Sequence, residues 1–527
     1  MRETQRKRDV PEMALSDSLQ DLQIIEGREF GESQPRGQLS AHSVREVLSR
    51  VQDSLRSAGC SVEQGVDALK NVQQMFESGE VHLLLSECCN NEGIGVEKTY
   101  LDLVSSLTQF AALPLCEADS GDLPARSYAD IPDRACAVCA VLLTLLRRLG
   151  TGKEAPHCSS PASPASQLAR ALAPLLCVFA VTHLEDQPWT SEASRMAASE
   201  LLDTIVQGGS FVSVTHLLCG EAPGDEAGCL GAILEILKPE LKKETWKRNQ
   251  STKHVFAWIL IHVGRPWLAE FLDRVFPPSL LMSDDYRTEN KVLGVCCLHH
   301  IILNVPAADL RQYNRAQVLY HALFNHLYTS EAQLIEVVLP CLLDLLSVLE
   351  KPPGSTVTPR KPNRCDEVMR LVLTHMEMEH KLALRRVYAH NLTLFIDSRM
   401  GIVTVRHLKR LERVIVGYME VSDAPGEQAR LSILDALERT LKLAWPRVEC
   451  RLAVLARALL KLLVDVSMDR TPLSAGVRAE LLDKATRCLM LLNHCTQGKL
   501  KVLLMELDSS CTDHAVLECI KKVIDTS

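Results

Sequence analysis

The stretch from residue 275 to residue 305, VFPPSLLMSDDYRTENKVLGVCCLHHIILNV, constrains the fold of this 527-residue chain more than any other. It predicts two helices joined by a sharp turn. Two prolines begin an apolar run, and Asp284 and Asp285 then offer side-chain oxygens that can cap the next helix. The residues after the turn are apolar on nearly every side, which is typical of a helix buried among neighbours. We therefore expect Asp285 to cap a helix that begins near residues 288–291.

A proline in the first helix, an aspartate at the turn and a basic residue, Lys291, early in the second helix are typical of a HEAT repeat. Helical pairs recur along the chain at irregular intervals of roughly 40 to 50 residues. Because one pair cannot bury its own apolar face, such pairs stack on one another. The sequence therefore predicts an all-α fold, a HEAT-like helical-repeat α-solenoid. Proteins of this class usually bind other proteins, so the functional question becomes one of partners.

Trp445 and Pro446 mark another predicted helix start. Pro446 suits the first helical position, where its missing N–H costs nothing. Apolar residues then recur at spacings of four and three, namely Val448, Leu452, Leu455, Leu459, Leu462 and Val466. This stripe favours packing within a solenoid over a coiled coil, because it lasts fewer than three heptads. Two interpretations of Trp445 stay open. It packs at the helix join, or it is exposed and contacts a partner. The second interpretation is considered because tryptophan is enriched at binding hot spots.

Composition divides the chain into five predicted segments. Polar, charged and low-complexity stretches predict disorder or linkers, and periodic apolar stretches predict helices. The segments are a mostly disordered N-terminal tail at 1–40, a helical region at 41–149, a flexible linker at 150–166, helical repeats at 167–250, and HEAT-like repeats at 251–527 that contain a loop insert at 352–364.

The composition of the whole chain bears on nucleic-acid binding, on the cellular location and on membrane insertion. Aromatic residues make up only 4% of the chain, and the net charge is −8, which gives no general reason to expect nucleic-acid binding. Many of the 19 cysteines lie in apolar helical runs, which predicts reduced thiols and a cytoplasmic location, with the nucleus as a further compartment. The N-terminus lacks the apolar core of a signal peptide. The longest apolar runs, 135–146 and 171–181, are predicted to be too short to span a bilayer.

The chain offers few residues that could carry chemistry. The cluster Cys296, Cys297, His299 and His300 is the best candidate for a metal site, because some members share a helix face. Its apolar surroundings favour packing in the core instead. The GTGK sequence at 150–153 lacks the first glycine of a phosphate-binding loop. We therefore predict no catalytic, cofactor-binding or metal site and no enzyme, and an enzyme built on the cysteine–histidine cluster is the alternative that a metal analysis would test.

Three strings carry a resemblance to a known family: DDYRTENKVLGVCCLHHIILNVPAADLRQYNRAQVLYHALFNHLY at 284–328, TVRHLKRLERVIVGYMEV at 404–421 and WPRVECRL at 445–452. They resemble the Tti-two family, and the resemblance is strongest over about residues 250–507. That family supplies the smallest subunit of the Triple-T complex of Tel-two, Tti-one and Tti-two. The complex is a co-chaperone that works with the Hsp-ninety chaperone machinery on PIKK kinases of the mTOR, ATM and ATR type.

The resemblance implies a non-catalytic scaffold that binds Tti-one directly and so supports the maturation of these kinases, and with it DNA-damage and growth signalling. It transfers no active-site residue. We expect the Tti-one interface in the C-terminal half, residues 250–527, without assigning individual residues. A HEAT-repeat transport or trafficking adaptor is the alternative. The chain is short for a transport receptor and lacks a strongly acidic inner stripe, so this alternative ranks second.

Overall fold

The computed structural model describes Gln52 and residues 62–78, 94–117, 123–151, 164–209, 211–221, 228–350, 361–468, 473–508 and 513–525. All regular secondary structure in these ranges is helical. The predicted tail at 1–40 lies outside the described residues, as do most of the predicted linker and most of the predicted insert. The chain divides into two compact units, Met1–Arg274 and Val275–Ser527. The domain boundaries given above stay predictions.

The first unit is built around two long helices that pack on most of the others. Its helices are α1 (Val62–Ser78), α2 (Ile94–Phe110), α3 (Ile131–Thr151), α4 (Pro164–Thr182), α5 (Glu192–Gly208), α6 (Val214–Cys219), α7 (Leu230–Leu237) and α8 (Gln250–Ile261). Helix α3 packs against α1, α2, α4 and α5, and α4 also packs against α2, α5, α7 and α8. The predicted apolar runs of this unit therefore form its core.

The second unit contains a regular series of helical hairpins. Its helices are α9 (Leu272–Ser283, which begins in the first unit), α10 (Thr288–Asn304), α11 (Ala307–Arg311), α12 (Arg315–His326), α13 (Ala332–Leu349), α14 (Arg364–Met378), α15 (Leu382–Phe395), α16 (Leu408–Met419), α17 (Gln428–Ala444), α18 (Leu452–Ser467), α19 (Ala475–Cys495), α20 (Lys499–Asp508) and α21 (His514–Asp525).

These hairpins stack in two rows. The second helices pack in the order α10, α13, α15, α17, α19, α21, and the first helices α14, α16 and α18 pack in a parallel series. Within most hairpins the two helices also pack together, as in α12 with α13 and α16 with α17. Such stacking is the arrangement of HEAT-like repeats, and the predicted all-α helical-repeat fold is confirmed.

The predicted helix pair at 275–305 is present as α9 and α10. Its close packing depends on Gly294, because a Cβ atom placed there would lie only 2.2 Å from the backbone nitrogen of Ser283. A glycine inside a helix is otherwise unfavourable by about 1 kcal/mol relative to alanine. The close approach of the two helices explains why glycine occupies this position.

Two described helices are long and apolar enough to cross a membrane by length and composition alone, namely Ala165–Thr182 in α4 and Ala332–Leu349 in α13. The first of these windows extends the run 171–181 on both sides, and the second lies outside the two runs that are predicted to be too short to span a bilayer. Both helices pack against several neighbours: α13, for example, contacts α10, α12 and α15. Their burial within the helical array accounts for their apolar character.

Candidate partner-binding surface

The turn between α9 and α10 uses its predicted aspartate differently from the prediction. Helix α10 begins at Thr288, within the predicted range, but its N-cap residue is Arg287, whose side chain makes no capping hydrogen bond. Asp285 is buried and lies two residues before that position. Its carboxylate accepts a hydrogen bond of 2.6 Å from the Asn290 side chain in the first turn of α10. The turn is thus longer than a simple cap requires, and Asp285 supports the helix start through Asn290 rather than from the N-cap position.

Asp284 and Lys291 act on the end of α12. Asp284 is exposed and Lys291 is half-buried. Burial lowers the pKa of His326, the positive charge of Lys291 lowers it further, and Asp284 opposes both effects. The two charged residues therefore lie near enough to the end of α12 to affect the ionisation of His326.

The cysteine–histidine cluster on α10 is split between two faces of the helix. Cys297 is buried, and burial raises its thiol pKa to about 12. Cys296 is exposed, which corrects the prediction that the whole cluster lies in the core. The Nε2 atom of His299 lies 2.9 Å from a carboxylate oxygen of Asp344 on α13. Within the part of the chain that the structure describes, no three His, Cys, Asp or Glu side chains are grouped so that they could hold a metal ion.

Trp445 stands in an irregular segment rather than at the start of a long helix. It opens a short 3-10 turn, Trp445–Arg447, in which Pro446 occupies an early position, and α18 begins only at Leu452. The predicted stripe is buried at Val448, Leu455, Leu459, Leu462 and Val466. Trp445 itself is 59% exposed, so packing at the helix join does not account for it. Contact with a partner stays a prediction for this residue.

The stacking of the hairpins gives the second unit two distinct edges. Because first helices pack on first helices and second helices on second helices, the turns inside hairpins share one edge and the links between hairpins share the other. We call the first the turn edge, formed by residues 284–287, 327–331, 379–381 and 420–427. We call the second the link edge, formed by residues 305–314, 396–407, 445–451 and 496–498.

Both edges expose large apolar side chains. The link edge presents Tyr313, Ile402 and Trp445, which are 84%, 67% and 59% exposed. On the turn edge, Tyr286 and Tyr328 are exposed, and Met378 and Leu382 lie beside one of its turns. Exposed apolar side chains that recur along an edge are typical of protein-binding surfaces. The sequence analysis identified Trp445 among them and missed the others.

Ion pairs hold the link edge in a fixed shape. Arg406 and His407 both contact the buried carboxylate of Asp366 on α14, at 3.3 Å and 3.0 Å. Side-chain hydrogen bonding from His407 and the charge of Arg406 hold the pKa of Asp366 below its usual range, although its burial acts in the opposite direction. Arg451 contacts Glu412 on α16 at 3.1 Å. Each link is thereby attached to a helix of a neighbouring hairpin.

The turn edge has its own buried charges between α16 and α17. Arg386 on α15 donates to the carboxylate and to the backbone carbonyl of Asp423, both at 2.9 Å. The backbone N–H of Ala429 also donates to the Asp423 carboxylate, at 3.0 Å. Glu427 is fully buried, and Arg430 lies 3.6 Å from its carboxylate. These contacts fix the turn, because a buried carboxylate is stable only when it is paired and hydrogen-bonded.

This geometry defines an all-α protein of stacked helical repeats, and both edges of its second unit carry exposed apolar side chains. Comparison with known proteins narrows this structural class to one protein family. A model of the Tti2 family matches residues 220–425. TELO2-interacting protein 2 from Homo sapiens is 50% identical over 461 residues, which span 87% of this chain and 88% of the human protein. The counterpart from Mus musculus is 46% identical over 461 residues, which span 86% of this chain and 87% of the mouse protein.

Because these identities extend over most of both chains, the chain belongs to the Tti2 family. Among solved structures, Kap121p bound to RanGTP is similar over 98% of this chain and 49% of that chain, at 10% identity and a TM-score of 0.45. That similarity is too low to carry an argument about function.

Proposed function

We propose that this chain is a non-catalytic scaffold subunit of the Triple-T co-chaperone complex. In this role it binds Tti-one directly, assembles with Tel-two, and works with the Hsp-ninety chaperone machinery to support the maturation and stability of PIKK kinases of the mTOR, ATM and ATR type. The observation that carries the proposal is the 50% identity to human TELO2-interacting protein 2 over most of both chains. The name of that relative states an interaction with TELO2, and we extend such an interaction to this chain.

The fold supports a scaffold because a stacked series of hairpins offers a long, rigid binding surface. Within the described residues, no group of three His, Cys, Asp or Glu side chains could hold a metal ion. The thiols of Cys139, Cys177 and Cys297 have pKa values raised by burial to about 12, which makes them poor nucleophiles. We propose a cytoplasmic site of action, with the nucleus as a further compartment.

We place the Tti-one interface in the second unit. Sixteen of the 20 exposed large hydrophobic side chains named in the described residues lie in Val275–Ser527, and four lie in Met1–Arg274. Interfaces concentrate their affinity in a few large apolar side chains that become buried on binding. The second unit therefore has the greater capacity to bury apolar area against a partner.

Affinity purification of the tagged full-length chain from cells, followed by mass spectrometry, tests the proposed function. We expect Tti-one and Tel-two in near-equal amounts, with PIKK kinases at lower levels, and neither subunit in the control purification with the tag alone. Recovery of neither subunit would overturn the proposal.

Hydrogen–deuterium exchange of the chain, alone and bound to Tti-one, tests the placement of the interface. We expect the loss of exchange on binding to concentrate in peptides from 275–525. Protection confined to peptides from 62–274 would contradict the placement while leaving the proposed function intact.

A further inference from the structure

We infer that the link edge of the second unit is the docking surface for an acidic, amphipathic helix of a protein partner. This inference deepens the proposed function, because it names the chemistry of the segment that the scaffold would bind. It rests on the charge of the edge, on the side chains that the edge presents and on the spacing between neighbouring hairpins.

The two edges carry opposite charge. When each segment is counted with the first two residues of the helix that follows it, the link edge contains eight Lys and Arg residues against three Asp and Glu. By the same count the turn edge contains two basic residues against eight acidic ones. The whole chain has a net charge of −8, so a basic edge departs from its overall composition. An acidic partner segment would therefore be attracted to the link edge and repelled by the turn edge.

Most of the cations on the link edge are already engaged within the protein. Arg406 pairs with Asp366, Arg451 with Glu412, and Lys499 with Glu449. Arg399 donates to the carbonyl of Leu343, and Arg311 to that of Val348. These cations hold the links in place and contribute only part of their charge to a partner.

Two cations on this edge remain available. Lys409 and Arg447 are exposed, and no described acidic side chain pairs with either of them. Arg447 lies two residues from Trp445, and Lys409 is the second residue of α16, the helix that follows the link containing Ile402. Trp445 thus has an exposed cation on its own link, and Ile402 has one in the first turn of the helix that follows its link. This pairing matches the apolar and acidic faces of an amphipathic helix.

The spacing of the links favours a helix as the bound element. The links that carry Ile402 and Trp445 belong to neighbouring hairpins, since α15 packs on α17 and α16 packs on α18. Packed helices lie about 8–10 Å apart. Apolar residues two turns apart on a helix are separated by about 10.5 Å. One helix lying along the edge can therefore place successive apolar residues against Ile402 and Trp445.

The edge is held in the conformation that such docking requires. Gly401 adopts a positive φ of 51°, which suits glycine and lets the chain turn sharply into the 3-10 segment Gly401–His407 that exposes Ile402. Farther along the edge, Tyr313 and Asn314 also have positive φ values, of 50° and 58°.

The same observations favour a protein over a nucleic acid or an anionic membrane. Polyanions bind through many cations that are free to contact phosphates. On the described link edge, Arg311, Lys409 and Arg447 are exposed and have no acidic partner, and Arg311 already donates to the backbone carbonyl of Val348. The large exposed Trp445 and Ile402 side chains instead match the apolar anchors of a protein interface.

Photo-crosslinking from the full-length chain in cells tests the inference most directly. A benzophenone amino acid is placed at Ile402 or Trp445, and at Tyr328 or Met378 as matched positions near the turn edge. Crosslinks from the link edge should map to a segment of Tti-one or Tel-two in which acidic residues accompany apolar residues at helical spacing. Crosslinks that map to basic or uncharged segments, to nucleic acid or to lipid would overturn the inference.

Charge reversal provides the quantitative test. The double variant Lys409→Glu with Arg447→Glu should weaken recovery of the crosslinked partner by roughly tenfold or more, as loss of a hot-spot contact does. The control variant Lys381→Glu on the turn edge should recover the partner as the wild type does, and the melting temperatures of both variants should match that of the wild type. Wild-type recovery by the double variant would refute the inference.

The outcomes separate this inference from the proposed function. If the wild-type chain recovers Tti-one and Tel-two but the link edge neither crosslinks to them nor responds to charge reversal, the inference fails and the proposed function stands. If neither subunit is recovered and the link edge crosslinks to an acidic helix of another protein, the proposed function fails and the inference stands.

Discussion

His183, directly after α4, allows a stability prediction that can be worked out from its surroundings. Its side chain is fully buried and packs edge-to-face on Phe179, with ring centroids 4.9 Å apart. Neither ring nitrogen has a hydrogen-bond partner among the residues that the structure describes. Burial lowers the pKa of His183 from 6.5 to about 4, because the charged imidazolium would lose its hydration without gaining a partner.

The difference between the pKa values of His183 in the folded and unfolded chain determines how the free energy of unfolding changes with pH. The unfolded chain binds a proton at His183 near pH 6.5, whereas the folded chain resists it until about pH 4. The stability contributed by the neutral ring is therefore complete above pH 6.5 and is lost as the pH falls from 6.5 toward 4. From these two pKa values, folding loses on the order of 1 kcal/mol at this one residue between pH 7.5 and pH 5.5.

Replacing His183 with leucine removes this dependence. At pH 7.5 the variant should be as stable as the wild type or more stable, because two unpaired polar atoms leave the core. At pH 5.5 the stability difference in favour of the variant should grow by on the order of 1 kcal/mol. Urea unfolding at the two pH values, read by hydrogen exchange of α4 and α5 peptides, measures the local free energy of unfolding.

The control is His380→Leu, at an exposed position in the second unit. It should leave the pH dependence of the α4 and α5 peptides unchanged. The same stability difference between His183→Leu and the wild type at pH 7.5 and pH 5.5 would refute the reasoning, because a buried neutral histidine must resist protonation.

Three further substitutions test the second unit by thermal unfolding. Asp285→Ala should cost about 1–3 kcal/mol, because it removes the carboxylate that accepts the hydrogen bond from the buried Asn290 amide in α10. Asp284→Ala, at the neighbouring exposed position, should cost much less. Equal melting temperatures for the two variants would contradict this reasoning. Gly294→Ala should cost about 1–3 kcal/mol, because the added methyl group meets the backbone of α9. Gly417→Ala should be neutral or stabilising, because there the added methyl group meets nothing within 4 Å. A tolerated change at Gly294 would refute the close approach of the two helices. Trp445→Ala should change stability by no more than about 0.5 kcal/mol and should reduce partner binding; a large loss of stability would show that Trp445 packs at the helix join after all.

The helices could be predicted from the sequence where a local pattern determines them. The pair at 275–305 follows from apolar spacing, and the structure confirms it. The stripe from Val448 to Val466 is buried except at Leu452, although the helix that carries most of it begins only at Leu452. The role of Asp285 could not be predicted in detail, because the length of a turn depends on how the two helices cross. Cys296 was assigned to the core because its neighbours are apolar, although adjacent residues on a helix face directions about 100° apart.

The surface residues were harder to predict because exposure is decided by stacking. Tyr313 and Ile402 read as ordinary apolar residues in the sequence, and only the arrangement of neighbouring hairpins leaves them uncovered. One local signal was present: Gly401 precedes Ile402, and a glycine directly after a helix indicates a sharp turn that can expose the next side chain. The opposite charges of the two edges emerge only when links and turns are assigned to their edges.

The most direct test of the central claim is reconstitution from purified components. The full-length chain is mixed with Tti-one alone, and the mass of the product is measured by size-exclusion chromatography with light scattering. The scaffold account predicts a stable complex of one copy of each protein, formed without chaperones or kinases, to which Tel-two adds. Separate elution of the two proteins at micromolar concentration would contradict the claim that this chain binds Tti-one directly.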